Sequence, residues 1–396
     1  MSQEENAADE ALRQEIRAFL RDHMPEEIRL APRNSMALDV GLRRRWHRIL
    51  ADRGWAVPSW PVEYGGTGWT VRQQAIFQEE MGLAGAPGLI PFLNMIGPLI
   101  YTYGTPEQKA EHLPRTISGE VQWCQGYSEP GAGSDLASLK MRAESDGDDY
   151  VLNGQKIWTS YAHDAQWMFC LVRTSSEGKP QNGITFLLID METPGMTIRP
   201  IRSIDGLHHL NEVFFNDVRV PKANRVGEED KGWTYAKFLL EHERSNVAGI
   251  PQSKYRMAQI MDLARQDRPG GALIDDVDFR RKLVDAHIDM ISLEAVNGSI
   301  IGKMVRGEKL GTETSTLKLL GTLLSQRISE LGVEALGPYA AVDQAYRLEG
   351  TSNQPLVGPE AGPEIVMDYL FNRASTIYGG SSEVQRNVIA KATLGL

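Results

Sequence analysis

The spacing of apolar residues changes twice along the chain. Up to about residue 120 they recur three and four positions apart, as in "ADEALRQEIRAFLRDHM" and "VRQQAIFQEEMGLAG", which predicts amphipathic helices. Short β-rich runs such as "WMFCLVRT" and "GITFLLIDM" follow, and Asn153-Gly154 in "YVLNGQKIWTS" predicts a hairpin turn. Helical spacing then returns. We predict a helical region over 1–120, a β region over 121–228 and a helical region over 229–396, an α+β order without alternating βαβ units.

A pair of glycines precedes the last helix. In "RASTIYGGSSEVQRNVIAKATLGL", residues 382–385 fit a capping box, so the helix is predicted to start near residue 383. Gly379-Gly380 directly before it would allow a positive φ or the close approach of another group. Amides at a helix N-terminus also bind ligand oxygens. The pair indicates either an ordinary tight turn or a ligand contact, and at this point both remain open.

Composition excludes several classes of protein. The 396 residues are 41% hydrophobic and 24% charged, as in a globular protein of two or three domains. The net charge of −10 argues against general nucleic-acid binding, and the basic run Arg43-Arg44-Arg45 is interpreted as a solvated helix face. Since no run of about 18 apolar residues is present, no membrane span is predicted.

Cysteine and histidine usage predicts neither a disulfide framework nor a metal site. Cys124 and Cys170 are the only cysteines. The acidic N-terminal segment is unlike a signal or transit peptide, so we expect a cytoplasmic protein in a reducing compartment. Four histidines lack the spacing of metal ligands and are interpreted as ordinary surface or core residues: His163, His208, His209 and His242.

The common nucleotide motifs are absent from the sequence. Residues 131–136 begin like G-x-G-x-x-G but lack its third glycine, and no Walker A lysine motif occurs. The sequence therefore predicts neither a Rossmann domain nor a P-loop.

Three other motifs occur in a fixed order: "SEPGAGSD" at 128–135, "NGQKIWTS" at 153–160 and "IYGGSSEVQRNVIAKATLGL" at the end of the chain. With the helical, β, helical order they resemble the acyl-CoA dehydrogenase family over essentially the whole chain. Gly379-Gly380, a long Pro- and Gly-containing connection over 340–366 and the ending "AKATLGL" are most similar to the branch of bacterial FadE-type enzymes and the pimeloyl-CoA dehydrogenase large subunit.

This resemblance implies an N-terminal helical domain, a middle β-barrel-like domain and a C-terminal four-helix bundle, with FAD held between the last two. It implies α,β-desaturation of an acyl-CoA thioester, in which a carboxylate removes the α proton and the β hydride passes to flavin N5. Electron-transfer flavoprotein is the implied electron acceptor. Because an α C–H beside a thioester is a poor acid, the enolate-like oxygen needs hydrogen-bond donors and the base needs a raised pKa.

The resemblance also assigns contacts residue by residue. Ser128, Trp158 and Ser160 match positions against the flavin ring, and Ser134 matches one near the thioester end of CoA. The structural alternatives are turn-capping hydroxyls, sheet packing of Trp158 and helix capping at 382–383. The expected cofactor contacts are Tyr127, Ser128, Gly133, Trp158, Ser160, Arg268, Gly337, Ser381 and Glu383, and the expected substrate contacts are Ser134, Arg244 and Tyr378.

The adenine end of the cofactor site departs from the family pattern. The family often has a Gln before a Gly-rich turn there, whereas this chain has Glu334 before Gly337, and a carboxylate is a poor partner for a diphosphate. Arg268 in "RQDRPGG" is the candidate for the arginine near the FAD phosphates. These changes suggest that a partner chain supplies part of each FAD site, as in the two-gene heterotetramers of this branch.

The catalytic base has two family positions. The best-known members carry a Glu where this chain has Gly379, and a second position lies on a helix immediately before an Arg, which here is Glu243-Arg244. Leu239 and Val247 lie four residues to either side of Glu243, which indicates an apolar, inward stripe that would raise its pKa. A buried structural ion pair is the alternative. The Gly379 backbone N–H can still donate to the thioester carbonyl, and the missing side chain leaves room for a branched, cyclic or long acyl group.

The segment "TLKLLGTLLSQRISELGVEALG" is richer in apolar residues than one helix face needs. It predicts a dimer of dimers built through the C-terminal region, either a homotetramer or an α2β2 assembly with a homologous subunit. Two further functions remain open on the same fold. One is a flavin oxidase or monooxygenase, and the other is a non-catalytic subunit of a heteromeric acyl-CoA dehydrogenase.

Overall fold

The computed structural model describes residues 3–30, 38–243, 248–350 and 353–395, with side chains except at 3–6, 30 and 240–243. Helices precede the sheet in this order: α1 (Gln3–His23), α2 (Glu26–Leu30), α3 (Val40–Asp52), α4 (Val71–Leu83), α5 (Leu93–Tyr103) and α6 (Pro106–Ile117). The helices α4 and α6 begin at capping boxes, in which Thr70 and Thr105 accept from the backbone N–H three residues on and Gln73 and Gln108 bond back.

The middle domain is one sheet of seven strands: β1 (Trp123–Gly126), β2 (Arg142–Asp146), β3 (Asp149–Lys156), β4 (Trp167–Arg173), β5 (Ile184–Asp190), β6 (Met196–Arg202) and β7 (His208–Pro221). The strands follow the order β1-β4-β2-β3-β7-β6, with β5 paired to β4. The strands β4 and β5 are buried on both faces, since α5 and the following helix α7 (Gly232–Glu243) cover one face and the rest of the sheet folds over the other. This explains the continuous apolar runs in their sequences.

The predicted hairpin turn at Asn153-Gly154 is wrong. The turn between β2 and β3 lies at residues 147–148, and β3 continues through Gly154 as a β-bulge against β7. Gly154 has a φ of +150°, and the Asn153 side chain bonds both the backbone and the carboxylate of Asp217 across the bulge. An Asn-Gly pair suits a bulge as well as a turn, and pairing with β7 decides between them.

The C-terminal domain is a helical bundle. Its core lies between α8 (Ile250–Ala264), α9 (Val277–Val305), α10 (Glu313–Leu336) and α12 (Gly362–Asn372), with α11 (Ala345–Leu348) in the connection and α13 (Ser382–Ile389) after it. The helix α12 begins inside the connection that the sequence suggested and was not predicted. In the sequence, the neighbouring prolines and glycines obscure its helical pattern of apolar residues. Ile365 and Met367 of this helix are buried.

The basic run on α3 is not a solvated face. Arg43 is only 4% exposed, and its guanidinium lies over the Tyr161 ring at 4.4 Å. Arg44 donates to the Asp164 carbonyl (3.3 Å) and the Gln166 amide oxygen. Only Arg45 matches the prediction, in an exposed ion pair. The run therefore fixes the N-terminal domain against the loop after β3.

Both cysteines are buried free thiols, in agreement with the predicted absence of a disulfide framework. Burial raises the pKa of the Cys170 thiol to about 12, so it stays protonated at neutral pH. None of the described helices is both long enough and apolar enough to cross a lipid bilayer.

We expect Gly154→Ala to lower the free energy of unfolding by about 1–3 kcal/mol. An L-residue is strained at this φ, and its Cβ would lie 3.0 Å or less from Met141 atoms. Gly88→Ala is the matched control, because a Cβ there meets nothing within 4 Å, and it should change stability by less than about 0.5 kcal/mol. Urea unfolding measures the free energy of unfolding of both variants. Equal values for Gly154→Ala and Gly88→Ala would contradict the proposed role of Gly154 in the bulge.

Candidate active site

Two of the three sequence motifs meet at the end of β3. The Ile157 N–H, directly after the end of β3, donates to the Ser128 carbonyl at 2.9 Å and joins the "SEPGAGSD" loop to the "NGQKIWTS" segment. Reciprocal backbone bonds between Glu129 and Ala132 close the loop into a tight turn. Ser128 and Ser160 are half-buried, and Ser134 is exposed at the outer end of the loop. Ser128, Trp158 and Ser160 are therefore close neighbours.

A buried ion pair supports this junction. Lys156 Nζ lies 2.8 Å from Glu129 Oε1 and 3.2 Å from the Tyr127 carbonyl, and both charged side chains are almost fully buried. The Glu129 carboxylate also accepts the backbone N–H groups of Lys140 (2.6 Å) and Met141 (3.0 Å). Removal of either charge would leave the other buried without its partner.

Trp158 combines backbone strain with an exposed ring. Its φ is +60°, and it is 57% exposed although Thr159 and Tyr161 in the same segment are buried. A non-glycine residue in this region is held there by its surroundings, and such residues concentrate at functional sites. This exposure is inconsistent with plain sheet packing. A flat aromatic surface beside two serine hydroxyls suits a planar ring system with a hydrogen-bonding edge.

Ring contacts connect this segment to the C-terminal domain. The Tyr161 N–H donates to the His209 carbonyl, the His209 ring lies 5.1 Å from the Phe371 ring, and Phe371 lies 5.9 Å from Tyr378. Gly379 follows Tyr378 with a φ of +63° and Gly380 has +85°, so both glycines use backbone that favours glycine. The third motif thus lies across the domain boundary from the first two.

The helix α13 begins one residue earlier than the capping box predicted. Its N-cap is Ser381, whose Oγ accepts from the Val384 N–H at 3.2 Å, and Ser382 is the first helical residue. Glu383 is exposed. Hydrogen bonds from its own backbone N–H, the larger effect, and from the Ser381 hydroxyl lower the pKa of its carboxyl. The Ser381 hydroxyl thus serves both the helix and Glu383.

Arg268 and Gly337 form a separate group at the far end of α10. Arg268 Nη1 donates to the Ala335 carbonyl (3.3 Å), and its buried Nη2 has no hydrogen-bond partner among the described residues. Lys282 neutralises Glu334 at 2.7 Å, which removes the expected conflict with a diphosphate. An unpartnered, buried guanidinium nitrogen suits an anionic group.

This group does not join the other site residues within one chain. Near its start, α10 contacts the glycine segment through Lys318, whose Nζ donates to the Ser375 carbonyl at 2.7 Å. Eighteen residues of helix separate Lys318 from Leu336, a distance of about 27 Å at 1.5 Å per residue. The structure therefore brings together the residues of the three motifs, with Arg268 and Gly337 apart from them.

The proposed base lies at the edge of the described chain. Of Glu243 only the backbone is described, as the last residue of α7, and Arg244 lies outside the described residues. Leu239, one turn earlier in α7, is fully buried, as the inward stripe predicted.

Sequence reasoning missed a cluster of histidines behind the Trp158 segment. His163 and His208 stack at 4.1 Å, both contact the Asn211 side chain, and His209 is buried beside Asp205. Metal-ligand spacing was the only signal considered, and it does not detect histidines that come together around an asparagine.

Family models for the N-terminal, middle and C-terminal domains of acyl-CoA dehydrogenases match residues 6–120, 124–218 and 230–394. The three matched domains, in this order, define an oxidoreductase. The chain belongs to the acyl-CoA dehydrogenase family, which confirms the resemblance drawn from the three motifs.

Several relatives cover nearly the whole chain. Acyl-CoA dehydrogenase IpdE1 of Mycobacterium tuberculosis (strain ATCC 25618 / H37Rv) is 35% identical over 98% of this chain and 97% of its own length. The solved ChsE4-ChsE5 complex from Mycobacterium tuberculosis superposes with a TM-score of 0.83 at 34% identity, covering 98% of this chain and 97% of that chain. The Tcur3481-Tcur3483 steroid ACAD gives a TM-score of 0.84 at 28% identity over 98% of both chains.

We expect Lys156→Met to lower the free energy of unfolding by about 3–5 kcal/mol, because it leaves the Glu129 carboxylate buried without its cation. Adding Glu129→Gln should restore part of that loss. Lys140→Met is the control, since this exposed lysine lies in the same loop, and it should cost less than about 0.5 kcal/mol. Urea unfolding of the wild type, Lys156→Met, Glu129→Gln and the double variant completes a double-mutant cycle, and purely additive effects would contradict the coupling.

Proposed function

We propose that this chain catalyses the FAD-dependent α,β-desaturation of an acyl-CoA thioester. The observation that carries the proposal is the junction at the end of β3, where Trp158, with a strained backbone and an exposed ring, lies in the same segment as Ser160 and next to the residue that bonds the Ser128 carbonyl. Membership of the acyl-CoA dehydrogenase family supports the reaction class.

FAD, when bound, supplies the acceptor for the hydride that leaves the β carbon. Ser128, Trp158 and Ser160 would hold its ring, with Tyr127 and Gly133 in the same loop and Ser381 and Glu383 at the start of α13. The exposed ring and the serine hydroxyls suit a flavin, and the unpartnered Arg268 Nη2 beside Gly337 suits a phosphate.

Glu243 is the proposed base. Its carboxylate takes the α proton while the hydride leaves the β carbon, and a double bond forms between the two carbons. The Gly379 N–H donates to the thioester carbonyl and stabilises the charge that develops on its oxygen. Ser134, Tyr378 and Arg244 are the proposed contacts to the substrate. The burial of Leu239 supports an inward position for this face of α7.

The substrate is proposed to be a branched, cyclic or long acyl-CoA. A glycine at residue 379 leaves the space that a glutamate side chain would fill, so a bulky acyl group can approach Tyr378. The relative described as a steroid ACAD supports a cyclic group.

The assembly is proposed to be a dimer of dimers through the C-terminal bundle. Apolar residues on α9 and α10 are exposed in one chain, at seven-, four- and three-residue spacings along α9: Val277, Val284, Ile288, Ile291, Leu320 and Leu323. The distance of about 27 Å along α10 supports a site completed by a second chain, identical in a homotetramer or homologous in an α2β2 assembly. The solved ChsE4-ChsE5 complex supports the second arrangement.

The purified chain tests the proposal directly. A yellow protein whose flavin is bleached by an acyl-CoA supports the dehydrogenase. A protein that is colourless alone and becomes yellow only with a partner chain indicates a subunit without an independent site. Reoxidation that is faster with oxygen than with electron-transfer flavoprotein would indicate an oxidase or monooxygenase instead.

We expect Glu243→Gln to keep the fold and the FAD content but to slow flavin reduction by acyl-CoA by about 10²–10⁴-fold, because a positioned base contributes about this much. Glu241→Gln is the matched control on the same helix. It should reduce the rate little, because its neighbours three and four residues away in the sequence, Lys237, Arg244 and Ser245, predict a solvated position. Adding Gly379→Glu to Glu243→Gln should restore only part of the rate, since an L-residue at φ +63° costs about 1–2 kcal/mol. Anaerobic stopped-flow bleaching measures all three, and a normal rate in Glu243→Gln would exclude this base.

We expect Ile288→Asp to shift the protein toward smaller species, because it places a charge in the exposed apolar stripe of α9. Ile204→Asp changes an exposed isoleucine of the middle domain in the same way and should leave the assembly intact. Sedimentation velocity compares them. A stable, FAD-loaded wild-type monomer would contradict the proposed assembly.

A further inference from the structure

The segment over residues 157–161 needs support from outside itself. It leaves the regular ladder of β3 after Lys156, and both Trp158 and Tyr161 have a φ of +60°. Residues other than glycine persist in this backbone conformation only where the surrounding structure holds them. The proposed function needs the Trp158 ring in one place, so whatever holds the backbone also sets the site.

Asn211 of β7 holds the residue between the two strained ones. Its backbone carbonyl accepts from the Thr159 N–H, and its side-chain Nδ2 donates to the Thr159 carbonyl, each at 3.0 Å. Asn211 is fully buried, so these bonds do not compete with water. Two residues further on, Tyr161 donates to the His209 carbonyl while Arg43 covers its ring.

The Thr159 carbonyl fixes the direction of the Asn211 amide, because a carbonyl can only accept. Nδ2 must therefore face Thr159, and its second hydrogen is directed to His163 Nδ1 at 3.0 Å, closer than Oδ1 at 3.3 Å. The Oδ1 atom accepts from His208 Nε2 at 2.9 Å. Every polar atom of the Asn211 side chain is used, provided that His163 Nδ1 carries no proton.

Protonation of His163 would disturb this arrangement. An N–H on Nδ1 would face the Asn211 N–H at 3.0 Å, where neither can accept, and its nearest acceptor, Asn211 Oδ1 at 3.3 Å, already accepts from His208 Nε2. The charged ring would also lie 4.1 Å from the His208 ring and close to the Arg43 guanidinium. Asp164, with Oδ2 at 3.7 Å from His163 Nε2, is the carboxylate that opposes this repulsion.

The remaining titratable groups facing the cluster lie on the loop before β7 and at its start. His209 is buried 3.9 Å from the Asp205 carboxylate, and it interacts electrostatically with both His163 and His208. Burial, the largest influence, lowers the pKa of His163 below its ordinary value of 6.5. Neutral His163 is thus favoured in the folded protein at neutral pH.

We propose that Asn211 is a positioning residue that holds the Trp158 ring for the cofactor through the Thr159 carbonyl, and that protonation of His163 weakens this restraint. Acidification then loosens residues 157–161 and weakens flavin binding. The flavin part of this inference rests on the proposed function, whereas the restraint on the segment does not.

Hydrogen–deuterium exchange of peptides spanning residues 157–163 tests the restraint without any cofactor. In Asn211→Asp a carboxylate oxygen replaces the donor to Thr159, and protection in these peptides should fall by at least about tenfold. Asn216→Asp makes the same change at an exposed position of β7 and should leave the protection unchanged. Wild-type protection in Asn211→Asp would overturn the inference.

His163→Gln tests the dependence on pH, and it also serves if Asn211→Asp fails to fold. Because the folded-state pKa of His163 is lowered, the restraint is complete above about pH 6.5 and is lost as the pH falls below that value toward the folded-state pKa. A glutamine carbonyl can accept from Asn211 but does not titrate. Wild-type peptides should lose protection as the pH falls below about 6.5, relative to their intrinsic exchange rates, and those of His163→Gln should not. Equal loss in both proteins, or loss in neither, would overturn the role of His163.

FAD titration by visible absorbance, on the same proteins, separates this inference from the proposed function. We expect the Kd for FAD to rise at least about tenfold in Asn211→Asp and to stay unchanged in Asn216→Asp. A wild-type protein that binds no FAD, with the exchange differences present, would refute the proposed function and leave the restraint standing. Equal FAD affinity in wild type and Asn211→Asp would refute the positioning of the ring.

Discussion

The buried ion pair between Glu129 and Lys156 is the contact on which the site depends. It lies beneath the point where two motifs separated by some twenty residues meet, and the same carboxylate fixes the backbone at Lys140 and Met141. A pair removed from water is not by itself a strong source of stability, but each partner makes the other indispensable. The loop that carries Ser128 therefore cannot shift without exposing or orphaning a charge, and the Ser128 carbonyl stays in place to receive Ile157.

Around this rigid centre, the backbone takes up positive φ on both sides of the domain boundary. It is strained at Trp158 and Tyr161, whereas Gly379 and Gly380 adopt it without strain. Natural sequences break local rules mainly at functional sites, where tertiary contacts compensate for the cost. Here the compensation comes from Asn211 and from Arg43, both buried and both distant in sequence from the residues they hold.

All three domains therefore contribute to the proposed site. The helix α3 of the N-terminal domain restrains the loop after β3, the middle domain presents the aromatic ring and the hydroxyls, and Phe371 of α12 links His209 to Tyr378. Lys254 of α8 also forms an ion pair with Glu79 of α4, which connects the two helical domains, and a second one with Glu294 of α9 in its own domain. A change in the packing of the domains would thus alter the position of the Trp158 segment even if no site residue were substituted.

The sequence alone determined what depends on neighbours along the chain: the helical, β, helical order, the capping boxes of α4 and α6, the long helices α9 and α10, and the three motifs with their family. These signals are local because helical spacing, capping and turn chemistry act over three or four residues. The Glu243 assignment and the contacts of Arg244 stay predictions. Only the tertiary structure decided that Asn153-Gly154 is a bulge, that Arg43 is buried under another domain, that His163 and His208 meet at Asn211, and that Arg268 lies far from Ser381. Each of these depends on which distant segment packs against the residue, and spacing along one chain does not carry that information.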